Sequence, residues 1–352
     1  MNRRSDTLIV GGGPAGASAA IHLARGGAPV ALIERTTGPH DKVCGDFVGG
    51  PALAALADLG IDAAMLGGAP TARVRLIAGA RMAETALPFP AYGLSRRVLD
   101  EALLSRAVAA GALVRRGEAM RGLDSCPPSG TVLLATGKHD LRGAARPAHG
   151  SGAVGLKMYL TLAPDQAAAL AGAVEMVLLA SGYAGLQMVE AGRAVLCVMR
   201  YRAAVRARGA DQLLAELAGV SAHLRLRLAG AVPLSDRPLA VAGVPYGHLH
   251  LAGPSDPPRL YRLGDQAAVI PSLAGEGIAI ALASGVLAAE CVLAGAESST
   301  YHRQLRERLR YPMRVAMGVH RLACVAPAQP WLLRACQFWP AMIGFTATRT
   351  RC

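Results

Sequence analysis

Aromatic side chains are scarce in this chain of 352 residues: four phenylalanines, two tryptophans and eight tyrosines, 4% in all. Few flat faces remain on which bases could stack, so a nucleic-acid partner is not expected even at a formal net charge of +13. Cysteine occurs seven times, at 44, 126, 197, 291, 324, 336 and 352, and never as a Cys-x-x-Cys pair. Neither a metal site nor a disulfide framework is indicated, and a reducing cytoplasm is the expected compartment. No apolar leader with a cleavage site stands ahead of the first strand, so secretion is not expected. The longest apolar run, 277–296, carries Glu290 and is rich in alanine and glycine. It reads as a buried helix rather than a membrane span. Acids are rarest at the end, where residues 301–352 hold nine arginines against Glu307 alone. That excess fits either a solvated basic face or one turned to an anionic surface.

What is abundant is glycine and small apolar residues, and they are patterned. Residues 6–35 read as an apolar strand, a glycine turn, a small-residue helix and a second strand ending in an acid, the βαβ unit that holds a dinucleotide. Gly11 permits the tight turn after Thr7–Val10, Gly13 lets the backbone approach a pyrophosphate, and Gly16 lets the helix press on the sheet. The helix N-terminus then offers free N–H groups and a positive dipole end to the phosphates. Glu34 lies roughly 20 residues on, where a carboxylate accepts from both ribose hydroxyls and repels a 2′-phosphate. FAD or NAD therefore fits better than NADP.

Along the rest of the chain, a glycine- and proline-bearing loop precedes a helix at 52–59, and residues 72–90 read as short strands. A helix over 94–110 places Leu99, Leu103, Ala107 and Ala110 on one face, and two more strand-like runs follow. Between 153 and 255, β-prone runs (157–162, 175–180, 193–199) suggest a separate, mostly antiparallel sheet. The chain then returns to the first unit. The expected division is a discontinuous nucleotide domain of 1–70, 94–150 and 256–300, a substrate domain of 71–93 and 151–255, and a helical tail of 301–352.

A second acid and helix N-terminus separate the two dinucleotides. The stretch 261–285 ends a strand at Gly264-Asp265, then supplies Pro271, the turn Gly275-Glu276-Gly277 and a helix. Asp265 can bond a ribityl chain, and the helix end can face a flavin pyrimidine edge and stabilise negative charge there. That points to FAD.

With both motifs in place, the chain resembles the FAD-dependent family that joins geranylgeranyl reductases, group A flavin monooxygenases and flavin-dependent halogenases, from residue 5 to about 300. The resemblance implies an α/β fold with a Rossmann-like FAD-binding domain of the glutathione-reductase/p-hydroxybenzoate-hydroxylase type, interleaved with the antiparallel sheet. It implies that Arg96, in SRRVLD, contacts the FAD phosphates, and that the loop Lys42-Val43-Cys44-Gly45 passes near the isoalloxazine. The cofactor set it suggests is Gly11, Gly13, Ala15, Gly16, Glu34, Arg35, Cys44, Gly45, Arg96, Ala135, Thr136, Gly137, Gly264, Asp265, Pro271, Gly275, Gly277 and Ile278, with no metal. Where the hydroxylases carry Gly-Ala-Asp-Gly, this chain has Ala135-Thr136-Gly137-Lys138-His139, which speaks against their NAD(P)H handling. The reductase signature Tyr-x-Trp-x-Phe-Pro keeps only its tyrosine, Tyr183, and Gly185 stands where the tryptophan would be. No Trp-x-Trp-x-Ile-Pro segment of the halogenases is present.

The expected activity is FAD-dependent reduction or oxidation of carbon–carbon bonds in a hydrophobic isoprenoid or polyketide-like molecule, with Tyr183 and Cys44 as catalytic candidates; NADH and NADPH are candidate electron donors, with no separate motif for either in the sequence. A monooxygenase and a non-catalytic, membrane-associated flavoprotein are the alternatives. His139, Glu276 and Lys157 are further polar candidates. The tail, basic first and then apolar around Trp331 and Trp339, either caps the pocket, packs on a second subunit or lies peripherally on a membrane surface. The oligomeric state is open.

Overall fold

The computed structural model describes residues 7–125, 130–146, 152–180, 182–201, 209–253 and 256–351; Cys126 and Cys352 lie outside them. Five short parallel strands form one sheet in the order Leu260–Arg262, Thr131–Leu134, Thr7–Val10, Val30–Glu34, Leu113–Arg116. The three central strands are apolar and almost wholly buried, as a parallel sheet covered on both faces requires. The chain leaves Thr7–Val10 toward Val30–Glu34 on one side and later returns to Thr131–Leu134 on the other. The crevice at the carboxyl end of that divide is where α/β sheets bind ligands.

Helix Pro14–Arg25 follows the first strand, with Gly13 as N-cap and proline in its first turn. It packs on helix Gly277–Leu293 through small residues. A Cβ on Gly285 would lie 2.3 Å from the Ala15 carbonyl oxygen, and Ser18 donates to the Leu282 carbonyl at 3.1 Å. The helices that begin at the two glycine motifs are thus one rigid pair. The run expected to be a buried helix over 277–296 is one, and among the described residues no helix is long and apolar enough to cross a membrane.

The second sheet has nine strands among the described residues: Val232–Pro233, Ala153–Thr161, Ala194–Tyr201, Gly182–Met188, Gly172–Leu179, Ala69–Ala78, Arg81–Gly93 and Phe47–Val48 in order, with Leu239–Ala242 also on Ala153–Thr161. All pairs are antiparallel except Ala69–Ala78 with Gly172–Leu179. Two readings are corrected here. Residues 72–90 form not short strands but most of a long hairpin, 69–78 and 81–93. Its register jumps from Arg73↔Ala86 to Thr71↔Ala91, so Pro88 and Pro90 sit in a bulge where no N–H is needed. The sheet also contains Gly182–Met188 near its centre, the strand on which the reductase resemblance places Tyr183. Phe47–Val48, inside the segment assigned to the nucleotide domain, pairs with the second sheet.

One face of this sheet packs Leu156, Met158, Leu186, Leu196 and Val198 against helices Ala210–Val220 and Ala222–Arg227. The opposite face, with Met176, Tyr183 and Met199, looks toward helix Ser298–Cys324 and the two terminal helices Gln329–Phe338 and Ala341–Arg349. A cavity lies between them.

Candidate cofactor and substrate site

At the adenosine end the residues that matter are mostly backbone. Gly11 has φ +111°, and a Cβ there would sit 2.4 Å from the Ala135 carbonyl oxygen; one on Gly16 would sit 2.0 Å from that of Gly11. The turn therefore exists only with glycine at both positions. Glu34 is buried and accepts from the Gly12 N–H at 2.8 Å and from the N–H and hydroxyl of Thr36 at 3.1 and 2.9 Å. Burial alone would raise its pKa, but the Lys42 charge and these donors outweigh it and hold the carboxyl below its ordinary value. A Cβ on Gly13 would be 3.1 Å from the Arg96 guanidinium, which is gripped by Asp100 at 2.7 and 2.8 Å; Lys42 joins the same carboxylate at 2.9 Å. Two cations thus stand beside a glycine turn shaped for phosphates. Ala15 is buried in the helix interface, whereas Arg35 is exposed and meets His139 at 3.0 Å. His139 is outside the cavity.

At the second motif, Gly264 has φ +55° and its N–H donates to the Ser284 hydroxyl at 2.9 Å. Asp265 pairs with Lys138 at 3.0 Å. Burial opposes both charges, but each outweighs it for the other: Asp265 is held below and Lys138 above its ordinary pKa. Ala135, Thr136 and Gly137 form the strand exit between the two motifs, and the Gly137 carbonyl accepts from Gln266 at 2.8 Å. Pro271 leads into a short turn ended by Gly275 at φ +67°, then Gly277 opens the long helix with empty space where a Cβ would be. Ile278 is buried behind it. Glu276 is also buried and is paired with Arg351 near the end of the chain.

Cys44 and Gly45 reach the same place from the other side. Their loop is fixed by Asp46, a non-glycine at φ +55° whose carboxylate takes Lys157 at 2.7 Å and the Tyr159 hydroxyl at 2.6 Å. Lys157 is fully buried in that pair, which makes it a loop anchor. The Cys197 thiol donates to the Cys44 carbonyl at 3.0 Å.

Cys44, Gly45, Lys138, Asp265 and Gly275–Gly277 all line one end of a cavity of about 400 Å³. Its far walls are apolar: Val74, Leu76, Val174, Met176, Met199, Val241, Leu322, Leu332 and Ile343 among others. Strand alternation turns Tyr183, Gly185 and Gln187 into it. The Tyr183 hydroxyl is buried with no hydrogen-bond partner among the described residues, next to Tyr246 and Ser272, which bond each other at 2.5 Å. Burial and the neighbouring Tyr246 push the Tyr183 pKa well up, so the phenol keeps its proton.

Sequence reasoning reached the two glycine motifs and Tyr183, and missed Lys138, Tyr246, Ser272 and Arg351. Lys138 was visible only as a missing acid; that a cation there faces Asp265 is a tertiary fact. Among the described residues no His/Cys/Asp/Glu group is arranged to hold a metal ion.

Residues 4–129 match the family model described as an FAD binding domain. A menaquinone reductase of Mycolicibacterium smegmatis is 44% identical over 61 residues, 17% of this chain and only 15% of that protein's length. The chloroplastic geranylgeranyl diphosphate reductase of Oryza sativa is 26% identical over 88% of this chain and 71% of the relative. Among solved structures, a geranylgeranyl bacteriochlorophyll reductase-like protein of Thermoplasma acidophilum superposes with a TM-score of 0.74 at 18% identity, covering 95% of this chain and 91% of the other.

Proposed function

We propose that this chain, which belongs to the FAD-dependent family joining geranylgeranyl reductases with group A flavin monooxygenases, reduces a carbon–carbon double bond in a hydrophobic molecule of isoprenoid or polyketide-like build. The observation that carries the reading is the apolar cavity that begins at the second glycine motif and is lined by the Tyr183 phenol beside Tyr246 and Ser272. Two relatives bearing the names menaquinone reductase and geranylgeranyl diphosphate reductase support the reading.

The glycine cradle, Glu34, Arg96 and Asp265 are the residues that would hold FAD, which when bound supplies a hydride and accepts its replacement from NADH or NADPH. The chain's own part is positioning and proton control. The apolar walls desolvate the substrate and orient it along the sheet. Tyr183 holds a proton at its hydroxyl, raised in pKa by burial, to complete the addition at the second carbon. Tyr246 and Ser272 take up the remaining polar contact beside it.

The test is anaerobic. Purified protein loaded with FAD is bleached with NADH or NADPH, then mixed with a prenylated quinone or geranylgeranyl substrate, and the product is weighed. Addition of two hydrogens, slowed by Tyr183→Phe with FAD content unchanged, is the expected result. Addition of one oxygen atom under air would make the protein a monooxygenase and overturn the reading.

A further inference from the structure

We propose that the C-terminal helices dock this protein on an anionic lipid surface. The outward sides of Gln329–Phe338 and Ala341–Arg349 and the link between them carry large apolar groups that no described residue covers: Trp331 is 70% exposed, Phe338 80%, Trp339 68% and Phe345 58%. Trp331 and Phe338 are seven residues apart, two turns of one stripe, while Leu333 and Cys336 on the opposite stripe are buried. Both helices rest on the strand Arg81–Gly93, so their outward stripes share one flank of the molecule.

The charge on that flank selects the occupant. Arg334 lies over the Trp331 ring at 5.5 Å and Arg349 over Phe345 at 5.0 Å. The preceding helix presents Arg310, Arg314 and Arg321 among exposed Tyr311 and Leu322. A second copy on the same patch would bring these arginines together with only Glu307 in the segment to offset them. Aromatic groups interleaved with arginine instead match a membrane interface, with rings at headgroup depth and cations among anionic lipids.

The test of the docking needs no substrate, so its failure is distinguishable from failure of the proposed reaction. The chain has two tryptophans, 331 and 339, and both lie in this face, so emission excited at the red edge, where the eight tyrosines do not absorb, reports on it. Vesicles of phosphatidylcholine with phosphatidylglycerol should blue-shift that emission, and added salt should reverse the shift. Arg334→Gln and Arg349→Gln should each weaken vesicle affinity roughly fivefold. Phe338→Ser and Phe345→Ser should weaken it further while leaving the melting temperature unchanged. No shift with anionic vesicles at low salt, an equal and salt-insensitive shift with pure phosphatidylcholine, or a lipid-independent doubling of mass in light scattering would each overturn the proposal.

Discussion

Asp265→Ala separates two roles that the structure leaves superimposed on one carboxylate. Asp265 neutralises Lys138 at 3.0 Å and also lines the cavity at the second glycine motif. Both side chains of the pair retain solvent contact, at 24% and 30%, so losing the pair should cost the apo-protein only about 1 kcal/mol. A hydrogen bond from a cofactor hydroxyl to a charged carboxylate is worth about 1.5–3 kcal/mol, roughly 10- to 150-fold in FAD affinity. The assay is FAD titration by flavin fluorescence alongside melting of the apo-protein, repeated in Lys138→Met and in the double variant. If Asp265 holds FAD directly, the double variant recovers stability while affinity stays low. Wild-type affinity in Asp265→Ala would refute the assignment, and full recovery of affinity in the double variant would reduce Asp265 to a counter-ion for Lys138.

Gly285→Ala forces a methyl against the Ala15 carbonyl oxygen, 2.3 Å away, and should cost about 1–3 kcal/mol by prising apart the two motif helices. Denaturant melts and FAD content together should fall; an unchanged pair of values would show that the helices move independently. Lys157→Met strands the buried Asp46 carboxylate and should destabilise by about 3–5 kcal/mol, with partial rescue by Asp46→Asn in urea unfolding. Stability should also fall in acid for two reasons. Glu175 is fully buried; burial would raise its pKa, but His223 and Arg227 overcome this and lower it from 4.5 to about 2, so its contribution is present above 4.5 and drains away as pH falls toward 2. His302, lowered from 6.5 to about 3 chiefly by burial, stays neutral in the fold while the unfolded chain takes up a proton, so stability declines from pH 6.5 downward. Melting curves between pH 7 and 2 check this: His302→Gln should flatten the slope below 6.5, and Glu175→Gln the slope below 4.5.

The two glycine motifs were legible because they are made of backbone. Gly11 and Gly16 are required by contacts of 2.4 and 2.0 Å that no side chain tolerates, and such requirements leave glycine at fixed spacing in the sequence. The substrate end is made of side chains from distant strands, and its composition is that of any core. Tyr183, Tyr246 and Ser272 lie 63 and 26 positions apart in sequence and meet only because strand Gly182–Met188 and the turn after Pro271 face one cavity. The strand was placed by the reductase resemblance and not by its own residues, since Gly182-Tyr183-Ala184-Gly185 has neither branched residues nor alternation. The tail was readable as basic then apolar, with capping of the pocket among its expected roles, and Leu332, Ile343 and Thr346 do line the cavity.

Helix Ala341–Arg349 is apolar on two sides for two different reasons. Ile343, Thr346 and Ala347 are needed inward, because they close the cavity. Phe345, with Trp331, Phe338 and Trp339 before it, takes no part in that lining, and all four stay more than half exposed. Their burial is recovered only when something apolar covers them, and a bilayer interface does so without bringing like charges together. A hydrophobic substrate would then pass from lipid to cavity across the width of one helix, about 10 Å, instead of through water. An exposed outer stripe on the element that closes an apolar cavity is therefore the arrangement that delivery from a membrane requires.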